Sequence, residues 1–309
     1  MPYVATDDDT DLFIKEWGDG PPVILIHGWP LNADSWDDVA LGLANAGFRA
    51  ISYDRRGFGR SEQTWEGYDY DTFADDLAAV IDQATDDSEK VALVGFSMGG
   101  GEVARYLSKH GADQVSPAAL IASVVPYMAK TDDNPDGVDA SVFDGMVAGM
   151  NKDRADFMQT FAETFYGVGW ISSPVSQGTL DAFFQSVMMA GLHPTLEAAK
   201  AFATTDFRPD TAAFTMPTLI LHGTADKTVP IDPSARQAAK MIPHAQLIEY
   251  DGAPHGLLVT NKDEVIRDLL AFLQGSGTGE ERQALFGDTQ ETVFSEGPIG
   301  SIPTLQPGM

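Results

Sequence analysis

The stretch Val91-Ala-Leu-Val-Gly95-Phe-Ser97-Met-Gly99-Gly-Gly101 decides how this chain folds. Four apolar residues lead into Gly-x-Ser-x-Gly, and Glu102 to Lys109 continue with the spacing of a helix. The pattern predicts a strand, a sharp turn and a helix, with Ser97 at the apex. A serine held there sits in a strained backbone conformation. Gly95 and Gly99 are needed beside it because a Cβ would strike the neighbouring strand and helix. The Met98 amide then lies at a helix N-terminus, where negative charge is favoured.

A serine hydroxyl is a weak nucleophile unless a base takes its proton, and that base needs an acid to orient it. Both types follow in the order Ser, Asp, His. Thr218-Leu-Ile-Leu221 reads as a buried strand, and His222-Gly-Thr-Ala-Asp226-Lys-Thr-Val-Pro230 as the loop behind it. Ala245 to Tyr250 reads as a last strand, and its exit loop Asp251-Gly-Ala-Pro-His255-Gly256 precedes a helix at about 263–273. Ser97, Asp226 and His255 thus each follow a strand end. A second oxyanion donor is expected from Val23-Ile-Leu-Ile26-His27-Gly28-Trp29-Pro30, where the Trp29 amide follows an apolar strand. Its indole is expected in the pocket wall.

Other histidines read differently. His27 and His222 precede glycines after strands and read as structural hydrogen-bonders; His110, His193 and His244 read as surface or packing residues. No His-x₃-His, Cys-x₂-Cys or His-Glu-x₂-His spacing occurs, so no dedicated metal site is expected. Gly57-Phe-Gly59 begins like a dinucleotide fingerprint, but Glu62 stands where its third glycine belongs.

Taken together, the chain resembles the bacterial cofactor-free haloperoxidase, perhydrolase and aryl esterase family of the α/β-hydrolase superfamily. The resemblance is carried by His27-Gly-Trp-Pro30, Tyr53-Asp-Arg-Arg-Gly-Phe-Gly-Arg-Ser61, Tyr68 to Leu77, Gly95 to Gly101 with Val103-Ala-Arg-Tyr106, Thr205 to Asp210, and Ala253-Pro-His-Gly256. It covers about residues 1–273. It implies an α/β-hydrolase fold, with a mostly parallel eight-stranded sheet flanked by helices and a helical cap. It also implies Ser97 as nucleophile, Asp226 and His255 as its partners, and the Trp29 and Met98 amides as oxyanion donors, the same five positions reached above. No cofactor is implied, and a homo-oligomer is.

The family's chemistry implies that an ester or short carboxylic acid acylates Ser97 and that water or hydrogen peroxide releases the acyl group. Peroxide yields a peracid, which oxidises halide in solution. In the resembling family, proline directly after the oxyanion tryptophan is common among haloperoxidases and perhydrolases. Proline restricts the residue before it, so Pro30 can aim the Trp29 carbonyl at a peroxide. Dehalogenases and epoxide hydrolases of this superfamily use a carboxylate nucleophile, against Ser97 here. An amidase or lactamase on the same triad, or a non-catalytic ligand receptor, are the alternatives.

Apolar runs at about 12–17, 23–26, 49–53, 91–94, 118–124, 218–221 and 245–250 alternate with helical stretches, the pattern of a mostly parallel sheet covered on both faces. The run at 12–17 reads as an antiparallel edge strand. Between 125 and 216 lies the expected cap, rich in aromatic residues and methionine, Phe143, Met146, Phe161, Phe165, Trp170 and Phe183 among them. Some should roof an acyl pocket. From 274 to 309 the texture is that of a linker and flexible tail.

The chain holds 46 acidic and 19 basic residues and a net charge of −27, with 33 Asp and only 9 Lys. Such self-repulsion opposes compaction in dilute buffer, and molar salt screens it to a Debye length of about 3 Å. This reads as a cytoplasmic enzyme of a salt-accumulating halophile. The charge argues against nucleic acid or anionic membrane as partner and leaves a small ester or carboxylic acid, with peroxide, as the expected one. The sequence contains no cysteine, and from Met1-Pro-Tyr-Val and the acids that follow neither a leader nor a membrane-spanning run is expected.

Overall fold

The apolar runs assemble into one sheet. In a computed structural model the described residues are 2–86, 89–169 and 173–276; Trp170 and positions 277–309 of the expected tail lie outside them. The strands are β1 (Tyr3–Ala5), β2 (Asp11–Trp17), β3 (Pro22–Ile26), β4 (Arg49–Tyr53), β5 (Val91–Phe96), β6 (Val115–Ile121), β7 (Thr218–Gly223) and β8 (Gln246–Tyr250). They lie in the order β1-β2-β4-β3-β5-β6-β7-β8. β1 and β2 run antiparallel and the other six are mutually parallel. The eight-stranded, mostly parallel sheet expected from the sequence is therefore present.

β3, β5 and β7 are buried along their whole length, which is why they read as unbroken apolar runs rather than alternating ones. β1 escaped the sequence reading because three residues carry no period. The run expected as a strand at 118–124 instead begins at Val115 and ends at Ile121. There Ala122 takes φ +45° and turns the chain, and the Ser123 hydroxyl accepts from the Val125 amide at 3.1 Å.

Nine α-helices complete the described chain: α1 (Asp37–Asn45), α2 (Tyr70–Ala84), α3 (Met98–His110), α4 (Ala140–Tyr166), α5 (Gln177–Met188), α6 (Leu192–Thr204), α7 (Ala235–Met241), α8 (Leu257–Thr260) and α9 (Lys262–Ser276). α2 begins where the Asp69 carboxylate caps the Thr72 amide at 3.0 Å, and it packs on α3. α9 continues past Leu273 to Ser276, so the first residues of the expected linker are helical. α4, α5 and α6 lie between β6 and β7, where the cap was expected. α4 is broken at Asp153, whose φ of −158° and ψ of 95° are not helical. Among the described residues no helix is long and apolar enough to cross a membrane.

Not all the acidic residues are at the surface. Asp54, Asp76 and Glu102 are fully buried, and each meets an arginine: Arg60 at 2.7 Å, Arg56 at 2.6 Å and Arg55 at 2.7 Å.

Candidate active site

β5 ends in Gly95-Phe96, and the chain turns straight into α3 at Met98. Ser97, at the turn, takes φ +55° and ψ −118°, in the region non-glycine residues avoid. A Cβ on Gly95 would come within 2.5 Å of the Gly99 carbonyl oxygen, so glycine is required where strand and helix cross.

The loops after β7 and β8 bring the other two residues to it. His255 Nε2 lies 2.9 Å from the Ser97 Oγ, and His255 Nδ1 lies 2.6 Å from the Asp226 Oδ2. Asp226 Oδ1 accepts from the Thr228 and Val229 amides, both at 2.8 Å. Burial alone would raise the Asp226 carboxyl. Electrostatic attraction and hydrogen bonding from the His255 and His222 imidazoles outweigh it and hold the group well below the usual carboxylate range. An ionised Asp226 takes the His255 Nδ1 proton as a hydrogen bond, which leaves Nε2 as the acceptor facing the serine. The rings of Phe96 and Phe165 pack on the imidazole at 5.2 and 4.9 Å.

Trp29 follows β3, and a Cβ on Gly28 would stand 2.9 Å from the Ser97 Cβ, so this turn passes directly against the serine. The Trp29–Pro30 bond is cis. Met98 is the first residue of α3, whose amide has no partner within the helix. Among the described residues neither the Trp29 nor the Met98 N–H donates to a backbone carbonyl. The Trp29 indole donates to the Thr195 carbonyl at 2.9 Å and packs edge-on against Phe161 and Phe202.

Ser97 opens onto a cavity of about 330 Å³. Trp29, Val124, Phe143, Met146, Phe161 and Phe202 supply much of its apolar wall. Of the cap aromatics, Phe143, Phe161 and Phe202 are the ones that line this cavity. Met158, Phe165 and Phe183 are instead buried packing. Lys227 and Asp136 also line the cavity.

Ser97, His255 and Asp226 thus form one hydrogen-bonded chain, and Ser97 and Trp29 line one cavity, with Met98 directly after the serine. Two neighbours were not foreseen in full. His222 is fully buried, donates from Nε2 to the Val229 carbonyl at 2.8 Å and lies 3.3 Å from Asp226 Oδ2; its four-residue spacing from Asp226 was the available signal. His27 is buried too. Its Nε2 accepts from the Arg55 amide at 3.0 Å, so its Nδ1 carries the proton and donates to the Gly28 carbonyl at 2.9 Å. Burial, with the Arg55 charge beside it, pushes His27 well below its ordinary value and keeps it neutral. The remaining histidines are peripheral: His110 pairs with Asp75, His193 stacks on Trp65, and His244 bonds the Met216 carbonyl.

Comparison with known proteins agrees with this architecture. A family model described as alpha/beta hydrolase fold matches residues 21–262. A non-heme chloroperoxidase, CPO-A1, of Kitasatospora aureofaciens is 44% identical over 275 residues, which span 88% of this chain and 99% of that protein. A bifunctional esterase/perhydrolase of Acinetobacter calcoaceticus is 40% identical over 277 residues, 89% of this chain and 100% of the other. The crystal structure of a bromoperoxidase from Bacillus anthracis superposes with a TM-score of 0.84 at 40% identity, covering 88% of this chain and 99% of that one.

Proposed function

The chain belongs to the α/β-hydrolase family, and from that premise we propose that it is a serine hydrolase of short-chain or aryl carboxylic esters and a perhydrolase when hydrogen peroxide replaces water. The observation that carries this reading is the continuous Ser97–His255–Asp226 hydrogen-bond chain, at 2.9 and 2.6 Å, opening on an apolar cavity. Relatives named as chloroperoxidase and esterase/perhydrolase support the peroxide route.

The steps follow from the groups present. His255 Nε2 takes the Ser97 proton as Oγ attacks the ester carbonyl, and the Trp29 and Met98 amides receive the negative oxygen. Collapse expels the alcohol, which takes the proton from His255. Water, deprotonated by His255, then releases a carboxylic acid; hydrogen peroxide in its place releases a peracid and restores Ser97. An apolar cavity of about 330 Å³ favours small uncharged acyl groups.

The test is p-nitrophenyl acetate turnover with peroxide varied. Peracetic acid should appear as acetate falls, and it should brominate a scavenger when bromide is added. Release of acetate alone at all peroxide concentrations would leave an esterase without the second activity.

Pro30 supports the partition. Proline limits the conformations of Trp29, and in this proposal the Trp29 carbonyl accepts from a peroxide O–H. Pro30→Leu should lower the ratio of peracid to acid several-fold while ester hydrolysis persists. An unchanged ratio would reduce Pro30 to a turn residue.

We also propose that the acidic surface is an adaptation to a salt-rich cytoplasm. With 46 acids against 19 bases, like-charge repulsion is the term that salt removes. The melting temperature and esterase activity should both rise between dilute buffer and multimolar potassium chloride. Equal values at the two salts would dismiss the proposal.

A further inference from the structure

An oxyanion hole built from two amides works only if two separately folded segments keep a fixed separation. Here Trp29 follows β3 and Met98 begins α3, and no covalent feature joins them. One buried side chain spans the two. Arg55, just past the end of β4, donates from Nε to the Glu102 Oε2 at 2.7 Å, and Glu102 stands one helical turn after Met98 on α3. The same guanidinium donates from Nη2 to the His27 carbonyl at 2.8 Å. The Arg55 amide holds His27 Nε2, and His27 Nδ1 holds the Gly28 carbonyl, one residue before Trp29. Tyr53, the last residue of β4, donates its hydroxyl to the other Glu102 oxygen. Tyr53, Arg55, Glu102 and His27 are all fully buried.

We propose that Arg55, Glu102, Tyr53 and His27 are positioning residues that lock the Trp29 and Met98 amides at the spacing needed for the tetrahedral intermediate. The inference rests on the serine-hydrolase reading above. A buried ion pair is no better for stability than apolar packing of the same volume, so stability alone gives no reason for charges here. Direction does. Each bond in the chain is aimed at a backbone or side-chain atom of one of the two donor segments, and in a dry interior water offers no substitute partner.

The experiment compares wild type with Tyr53→Phe and Glu102→Gln on p-nitrophenyl acetate, using phenylboronic acid as a probe that forms a tetrahedral adduct on Ser97. Misplacing catalytic donors by about 1 Å costs on the order of 100-fold. Glu102→Gln should lower kcat by about that factor and Tyr53→Phe by a smaller one. KM should stay within about twofold, and boronate affinity should fall in parallel with kcat. Folded variants with unchanged kcat and boronate affinity, whatever their melting temperatures, would overturn the inference. Should Glu102→Gln fail to fold, Tyr53→Phe decides alone, since it leaves the Arg55–Glu102 pair intact. Wild-type turnover that survives Ser97→Ala would instead overturn the serine reading and this inference with it.

Discussion

Ser97→Ala is expected to reduce p-nitrophenyl acetate hydrolysis by about 10⁵- to 10⁶-fold, the scale on which removal of a serine nucleophile is felt when its partners act as a unit. The loss is chemical rather than structural. Alanine keeps the Cβ and meets the same φ of +55° that Ser97 already adopts, so β5, α3 and the Met98 amide should remain in place. His255 would still face the cavity, and the residual rate would come from water activated there and from the oxyanion amides. The decisive readout is that hydrolysis and peracid formation fall together, because both draw on one acyl-enzyme. The initial burst of p-nitrophenol, if present in the wild type, should vanish as well. A variant that lost hydrolysis but kept peracid formation would show that peroxide reacts without acylated Ser97.

Sequence reading reached what local chemistry encodes. Gly95 and Gly99 announced the elbow because a Cβ has no room there, and β3, β5 and β7 announced themselves by continuous apolar runs. Asp226 and His255 were legible because each directly follows a strand that runs parallel to β5 in the same sheet. What stayed hidden depends on pairing across long separations. Glu102 lies on the face of an unremarkable helical stretch, and only the meeting with Arg55, 47 residues away in sequence, makes it a buried ion pair. Total charge describes a surface and gives no sign that Asp54, Asp76 and Glu102 are inside. The cap was visible as a composition, yet the division between Phe161, which faces the cavity, and Phe165, which packs on His255, follows from how α4 sits over the sheet. His222 was read as a structural hydrogen-bonder, and its bond to the Val229 carbonyl is one; its approach to Asp226 needed the loop's actual path.

Asp226→Asn should lower kcat by about 10⁴-fold with little change in stability, and the reason lies in how this carboxylate is held. Oδ1 accepts two backbone amides, from Thr228 and Val229, at 2.8 Å each. An asparagine must therefore place its carbonyl oxygen at that position, since its amide group has no acceptor there. Its NH₂ then occupies the Oδ2 position, facing His255 Nδ1 at 2.6 Å and His222 Nε2 at 3.3 Å in the native geometry. His255 can meet an NH₂ donor only by accepting at Nδ1, which moves its proton to Nε2. That nitrogen then points a hydrogen at the Ser97 Oγ and cannot take the serine's proton. His222 would lose its 3.3 Å contact with the carboxylate but keep its Nε2 hydrogen bond to the Val229 carbonyl at 2.8 Å. The Nδ1 proton resonance of His255 should accordingly disappear from the NMR spectrum of the variant, while phenylboronic acid, which needs no proton transfer from Ser97 to reach its trigonal encounter, should still enter the cavity. A variant that kept both the resonance and the rate would mean that another group orients His255. Asp226→Ala makes the contrast: with no NH₂ to dictate the tautomer, His255 retains access to the productive form, and its activity should exceed that of the asparagine variant.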